Sequence, residues 1–246
     1  MKVLALNSSP RKSNSNTDRL LFPFLDGAKE AGAETEIIYL QSKKIAPCLG
    51  CFHCWIKTPG ACVQKDDQAE ILDGMRKADI MVFATPLYVF GMSAQLKLFF
   101  DRIMPLAQPF IVLKDGHCTH PFRYEKKDTG MVVISNCGFY ELDNFDEMIM
   151  HFRAIAKHGR MKYIGALLRP QGEFLQFAEK IMPEKAKAVY DAAREAGRQT
   201  VKEGKISQDV IEAFQADFMT LDDFLKSANF YFNHLLQEEA KKKSTS

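Results

Sequence analysis

The chain has 246 residues, 46% of them hydrophobic, and carries 33 lysines and arginines against 31 acidic residues. Such a length buries one large α/β core, and the near balance of charge gives no electrostatic reason to expect nucleic acid or an anionic membrane as partner. No run approaches the roughly 18 uninterrupted apolar residues of a membrane span, and the apolar run in MKVLALNSSPRK is too short for a secretory signal, so the expected compartment is the cytoplasm.

Residues 2 to 7 read as a short buried strand, followed by a polar loop from Ser8 to Asn16 and an apolar-periodic helix from Thr17 to Ala31. Glu34 to Leu40 is a second strand. A cysteine-rich insert at 47–65 precedes a helix over Asp66 to Lys77, a strand over Asp79 to Thr85 and a helix over Met92 to Met104. Residues 108 to 127 fit no single element and read as a long loop or a short hairpin. The fourth and fifth strands are Gly130 to Asn136 and Lys162 to Arg169, separated by a helix of about Asn144 to Lys157. Two further helices, Phe174 to Glu203 and Gln208 to Lys243, end in a frayed KKKSTS.

This alternation predicts an α/β fold, a doubly wound parallel sheet of five strands in the order 2-1-3-4-5 with extra C-terminal helices. Residues 1–170 form the main domain, and residues 171–246 pack as a helical extension on that domain or on a partner subunit. Ligands of such sheets bind beyond the carboxyl ends of the strands.

The first loop at that edge, Asn7 to Thr17, precedes a helix start, where free N–H groups and the helix dipole favour an anion. Ser9, Ser15, Asn16 and Thr17 add donors and Arg11 adds charge. GxxxxGK[ST] and GxGxxG are both absent, so a monophosphate suits the loop better than a nucleoside triphosphate or a dinucleotide. The competing reading is a polar turn capped by Asn16 or Thr17. After the third strand, the turn of Pro86, Leu87, Tyr88, Val89, Phe90 and Gly91 offers amides and apolar side chains to a flat ring, with Gly91 allowing close approach or an unusual backbone angle. Tyr88 also reads as a core or interface aromatic, and Asp101 with Arg102 as a surface or interface ion pair.

SSPRKSNSNT, TPLYVFGMSAQLKLFFDR and SNCGF together resemble the NADPH-dependent FMN reductase and iron–sulfur flavoprotein families of the flavodoxin-like superfamily, over roughly residues 1 to 170. The resemblance implies that Ser9, Arg11, Ser15, Asn16 and Thr17 hold the phosphate of FMN. It also implies that Pro86 to Gly91 border the ribityl chain and isoalloxazine, while Ser135, Asn136, Cys137 and Gly138 line the far side.

Cys48, Cys51, Cys54 and Cys62 have the spacing C-x2-C-x2-C-x7-C. Three thiolates two residues apart can hold three corners of a cluster, and Pro59-Gly60 turns the chain so that Cys62 supplies a fourth. A [4Fe–4S] cluster is the leading candidate; unmetallated thiols or a reversible Cys54–Cys62 disulfide, and a zinc site, stay open. The motif with Asp66-Asp67 looks like the iron–sulfur flavoprotein branch, whose members pass electrons between cluster and FMN as homodimers or higher homo-oligomers.

His53 reads as a solvated neighbour of the motif, and Trp55 as packed on the core or a partner subunit. Cys118 between His117 and His120 reads as part of a polar loop, and Cys137 as a pocket-lining residue without a base beside it. No acid–base residue is demanded where a flavin does the chemistry. The expected activity is an NAD(P)H-dependent FMN oxidoreductase with small-molecule or protein electron donors and acceptors, such as a quinone or nitroaromatic. The alternatives are a cluster-free FMN or quinone reductase and a non-enzymatic carrier comparable to flavodoxin.

Overall fold

The computed structural model describes residues 1–125 and 128–244. Parts of the expected loop (Lys126 and Lys127) and of the frayed tail (Thr245 and Ser246) lie outside the described residues. Five strands, β1 (Lys2–Asn7), β2 (Glu34–Tyr39), β3 (Ile80–Pro86), β6 (Gly130–Asn136) and β7 (Lys162–Arg169), form a parallel sheet in the order β2-β1-β3-β6-β7. Numbered among themselves these give the expected 2-1-3-4-5. In the 108–127 segment, β4 (Val112–Lys114) and β5 (His117–Thr119) form a hairpin whose turn places Asp115 and Gly116 at positive φ. That is the geometry Asp-Gly favours between two short strands.

Alternate residues of the central strands serve two cores, as the two-residue period of a strand requires. Val3, Ala5, Ile80, Val82, Val132 and Ile134 face one side, covered by α1 (Asn16–Glu30), α7 (Pro183–Glu203) and α8 (Gln208–Gln215). Leu4, Leu6, Met81, Phe83, Met131 and Val133 face the other, under α3 (Gln68–Lys77), α4 (Ala94–Asp101) and α5 (Asp146–His158). Ala186, Val189, Ala193 and Ala196 of α7 lie in the same core as β1 and β3, so this part of the C-terminal segment completes one layer of the sheet. The four-residue α2 (His53–Ile56) lies in the cysteine-rich insert.

The expected helix Phe174 to Glu203 is two helices, α6 (Leu175–Ile181) and α7, because Pro183 lacks an N–H and forces Met182 out of helical geometry, to φ −137 and ψ 53. The expected helix Gln208 to Lys243 is likewise divided into α8 and α9 (Leu221–Ser244). At that break the buried Arg169 guanidinium donates to the carbonyls of Phe214 and Ala216, each at 2.8 Å, and satisfies the C-terminus of α8. Phe218 covers the same guanidinium, 4.1 Å from its ring centre. Burial brings the Arg169 pKa down to about 10, with the Asp217 charge opposing.

Candidate functional site

The loops after β1, β3 and β6 meet at the carboxyl edge of the sheet because backbone and side chains lock them together. The Ser93 hydroxyl donates to Ser8 O at 3.0 Å, Leu87 N–H to Asn136 O at 2.9 Å, and the Asn136 amide to Thr17 Oγ1 at 2.8 Å. Ser135 Oγ donates to Thr85 O at 2.7 Å. A fourth loop, after β7, closes the group: Gly172 N–H donates to Cys137 O at 2.7 Å. Only a glycine fits at 172, since a Cβ would stand 2.8 Å from that of Asn136.

In the first loop, Ser9, Ser15, Asn16 and Thr17 are all buried. The cap of α1 is Ser15, whose side chain accepts from Asp18 N–H at 3.0 Å, not Asn16 or Thr17 as the competing reading had it. Ser15 takes that role because its backbone is still extended, at φ −98 and ψ 154, whereas Asn16 already begins the helix. Asn16 is thereby released, and neither end of its buried amide has a hydrogen-bond partner. Such a group costs free energy unless a ligand or water meets it. Next to it are the first N–H groups of α1, which have no intrahelical acceptor.

Beneath the loop lies a network absent from the sequence reading. Asn7 donates to Asp18 Oδ1 and accepts from Ser9 N–H, both at 2.9 Å, and the Tyr39 hydroxyl donates to the same carboxylate oxygen at 2.9 Å. Burial pushes the Asp18 carboxyl above its ordinary value, and the bonds from Tyr39 and Asn7 only partly offset this. Burial and the Asp18 charge together push the Tyr39 hydroxyl up to about 12. The Arg11 guanidinium pairs with Glu173 at 2.6 Å, tying the first loop to the one after β7.

The turn after β3 is closed by reciprocal bonds between Tyr88 and Gly91, at 2.9 and 3.0 Å. Its central residues Val89 and Phe90 carry φ of 48° and 60°. The unusual backbone angle expected at Gly91 therefore sits one and two residues earlier. A Cβ at Gly91 would meet only ordinary contacts. A left-handed conformation at a β-branched residue is strained and is held here by the surrounding bonds. Val89 is 94% exposed and Tyr88 and Phe90 about half exposed, so Tyr88 is not a core aromatic. Burial pushes the Cys137 thiol up to about 11, and its sulfur faces Phe139 O at 3.6 Å; a thiol kept protonated is no nucleophile.

The cysteine-rich insert folds back on itself. Gly60 N–H donates to Cys54 O at 2.9 Å, carrying Cys62 toward Cys54. Gly50 and Phe52, on either side of Cys51, have φ of 61° and 53°. The four thiols share one electrostatic field: burial pushes the Cys54 thiol up, and negative charge on Cys62, Cys51 and Cys48 adds to it. Cys48 and Cys51 are exposed. Among the described residues no three His, Cys, Asp or Glu side chains stand in a metal-holding arrangement. The donor set itself, thiols with a cation at hand, suits a thiophilic metal or cluster.

That cation is Arg102, expected with Asp101 as a surface or interface ion pair but in fact 2% exposed within its own chain. Its guanidinium reaches Cys62 Sγ at 3.2 Å and Ala46 O at 3.1 Å, and pairs with Asp66. Burial raises the Asp66 carboxyl, but Arg102 and the N–H groups of Ala46 and Gln68 outweigh it and hold the group below its ordinary value. Asp101 pairs instead with Lys97 at 2.5 Å. Arg102 points inward because the last turn of α4 packs over the insert, where Asp66 supplies the counter-charge that burial requires. Trp55 lies outside the two main cores: its indole donates to Met104 O at 2.9 Å, and its ring lies 4.7 Å from that of His120.

The family model for NADPH-dependent FMN reductases matches residues 1–118. An iron–sulfur flavoprotein of Methanocaldococcus jannaschii is 43% identical over 106 residues, 43% of this chain and 53% of that protein. Another, from Methanosarcina thermophila, is 36% identical over 115 residues, 47% of this chain and 59% of that one. The chain thus spans about half the length of the curated relatives it matches. Among solved structures, an FMN-dependent NADH-azoreductase from Bacillus anthracis in complex with FMN aligns with a TM-score of 0.60 at 19% identity, over 82% of this chain and 99% of that one. At that identity the likeness concerns the fold, which is flavodoxin-like.

Proposed function

We propose, on the premise that residues 1–118 match the NADPH-dependent FMN reductase family, that this protein binds FMN at the carboxyl edge of the sheet and works as an NAD(P)H-dependent oxidoreductase. The observation that carries the reading is the buried, unpartnered Asn16 amide at the start of α1, inside a ring of four mutually bonded loops.

In this reading Ser9, Asn16 and Thr17 donate to the FMN phosphate with the N–H groups that open α1, while Ser15, whose hydroxyl donates to Lys12 O at 2.6 Å and accepts from Asp18 N–H, shapes the loop around it. Arg11 supplies charge at the mouth from its place beside Glu173. Pro86, Leu87, Tyr88, Val89, Phe90 and Gly91 border the ribityl chain and the isoalloxazine, where the exposed turn leaves an edge open to a donor or acceptor. Ser135, Asn136, Cys137 and Gly138 close the far side. When bound, FMN would supply hydride and one-electron transfer chemistry; the residues named would orient it and shield one face.

Cys48, Cys51, Cys54 and Cys62 would hold a [4Fe–4S] cluster, supported by their spacing, their shared field and the names of the relatives. Such a cluster would supply one-electron chemistry. A homo-oligomer is part of the same proposal. Among the described residues no helix is long and apolar enough to cross a membrane; a cytoplasmic location belongs to the proposal too.

Anaerobic purification, with FMN, iron and sulfide measured per chain and NADH and NADPH oxidation followed with a quinone, tests the whole. One FMN with about four irons per chain, the irons lost in Cys51→Ser, supports both halves. FMN without iron sinks the cluster and leaves a cluster-free reductase. FMN bound without turnover of either nucleotide identifies a carrier.

A further inference from the structure

Cys62 differs from the other cysteines of the insert in what faces its sulfur. Cys48 and Cys51 are exposed. Among the described residues, Cys62 is the one cysteine of the insert whose sulfur accepts from a side chain: Arg102 Nη2 donates to its Sγ at 3.2 Å.

The donor is held firmly. Its other terminal nitrogen, Nη1, donates to Ala46 O at 3.1 Å and pairs with Asp66. Asp66 is fixed in turn, since its two oxygens accept from Ala46 N–H at 2.9 Å and from Gln68 N–H at 3.3 Å. The Gln68 side chain donates to Phe99 O at 3.0 Å, and Phe99 stands three residues before Arg102 on α4. The insert and the end of α4 thus grip one guanidinium between them. With Nη1 pinned by two acceptors, the planar fork fixes where Nη2 points, and Cys62 Sγ stands there.

The Arg102 side chain is 1% exposed, so water screens its field only weakly. Asp66 offsets part of the charge, but it binds Nη1, and the N–H on Nη2 still turns its positive end to the sulfur. Hydrogen bonds to the sulfurs and nearby charge are among the features that set the potential of an iron–sulfur centre. Its reduction takes one electron from a low-potential donor and makes or breaks no bond. Part of the added negative charge falls on the thiolate ligands, where an N–H donor stabilises it.

We propose that Arg102 is a positioning residue for the iron–sulfur centre: through its bond to Cys62 Sγ it favours the reduced cluster and raises the reduction potential. The inference rests on the reading of Cys48, Cys51, Cys54 and Cys62 as cluster ligands. Asp66 has two opposed effects at the same ligand. It holds the guanidinium in place and withdraws part of its charge.

Two measurements on the anaerobically purified, FMN-loaded protein test this. In the first, the chain is labelled with arginine carrying 15N in the guanidino group only, and the cluster is reduced with dithionite. Pulsed EPR of the reduced cluster should show a 15N coupling, lost in Arg102→Lys. In the second, the cluster midpoint is followed by EPR during a dithionite titration, with the flavin midpoint as an internal reference that should not move. Arg102→Gln should lower the cluster midpoint by about 60 mV, a tenfold change in a one-electron equilibrium. Asp66→Asn, which keeps the cation and removes its counter-charge, should raise the midpoint. A residue that only braced the insert would move both variants the same way or neither.

Should Arg102→Gln fail to fold, the 15N coupling in the native sequence and the Asp66→Asn midpoint decide. A protein with about four irons per chain and no 15N coupling overturns the proposal and leaves the cluster reading standing. Midpoints that stay put, or that shift together in one direction, overturn it as well. A chain that holds no iron even after anaerobic reconstitution overturns the cluster reading, and this inference with it.

Discussion

Gly197 of α7 lies directly against Phe24 of α1: a Cβ at 197 would stand 1.9 Å from the Phe24 carbonyl oxygen. The contact is reciprocal along the helix pair, since a Cβ at Gly27 would stand 1.8 Å from Arg194 O. Two helices approach this closely only where both lack side chains at the crossing. Gly197→Ala should therefore destabilise the protein by about 3 kcal/mol, against the roughly 1 kcal/mol that alanine normally adds to a helix interior. A urea denaturation midpoint that falls confirms the sign, and a rise would show that the helices can part without cost.

Asp18 should give stability a pH slope of definite sign. Its folded pKa is raised above the ordinary 3.8, so the folded chain holds the proton more tightly than the unfolded one. The folded state is thus penalised above the folded pKa and relieved as pH falls toward 3.8. Asp18→Asn keeps an oxygen for Asn7 and Tyr39 but removes the charge. In the cofactor-free protein, denaturant titrations at neutral and mildly acidic pH should show the advantage of the variant shrinking on acidification. An advantage that grows would contradict the assignment.

Asn16→Ala should weaken FMN about tenfold, the worth of one hydrogen bond to a charged group, while leaving riboflavin, which lacks the phosphate, almost unaffected. Fluorescence titrations with both flavins provide the comparison. Equal losses for the two would place Asn16 away from the phosphate.

Arg102→Gln removes the charge that faces Asp66 in a nearly closed site, and breaking such a pair costs about 3–5 kcal/mol where the remaining ion stays buried. The loss should concentrate in the insert, seen as faster thermolysin cleavage within 47–65 and a lower melting temperature. Arg102→Lys should fall between, because one ammonium cannot reach Asp66, Ala46 and Cys62 at once.

Val89→Gly should stabilise the cofactor-free protein by about 0.5–1 kcal/mol: left-handed strain of about 1–2 kcal/mol is relieved, against the greater freedom glycine adds to the unfolded chain. The midpoint of chemical denaturation reports it. The same change should loosen the turn that borders the proposed flavin, so FMN affinity should fall while stability rises.

The strands were legible because Lys2–Asn7, Gly130–Asn136 and Lys162–Arg169 are short apolar runs bounded by loop residues, and their alternation with helices left few topologies. The three loops were legible for the same reason, since topology alone carries them to one edge. What escaped depends on pairs distant in sequence. Arg102 looks like an ordinary helix end until Asp66, 36 residues earlier, is packed against it. Asn7, Asp18 and Tyr39 meet only once β1, α1 and β2 are assembled. The break at Met182 was written in Pro183 yet hidden by strong helix formers on both sides. The left-handed Val89 runs against the preference of its own residue type, and tertiary bonds alone impose it.

The interlocked glycines also set a schedule for the chain as it is made. The helix that presents the proposed phosphate loop leaves the ribosome long before the helix that covers its inner face. Until Gly197 emerges, Phe24 and Leu21 have nothing to close over them, and the loop at the head of α1 stands on an unfinished layer. A nascent chain halted before α7 should then hold residues 1–118, the whole family-matching stretch, without retaining flavin.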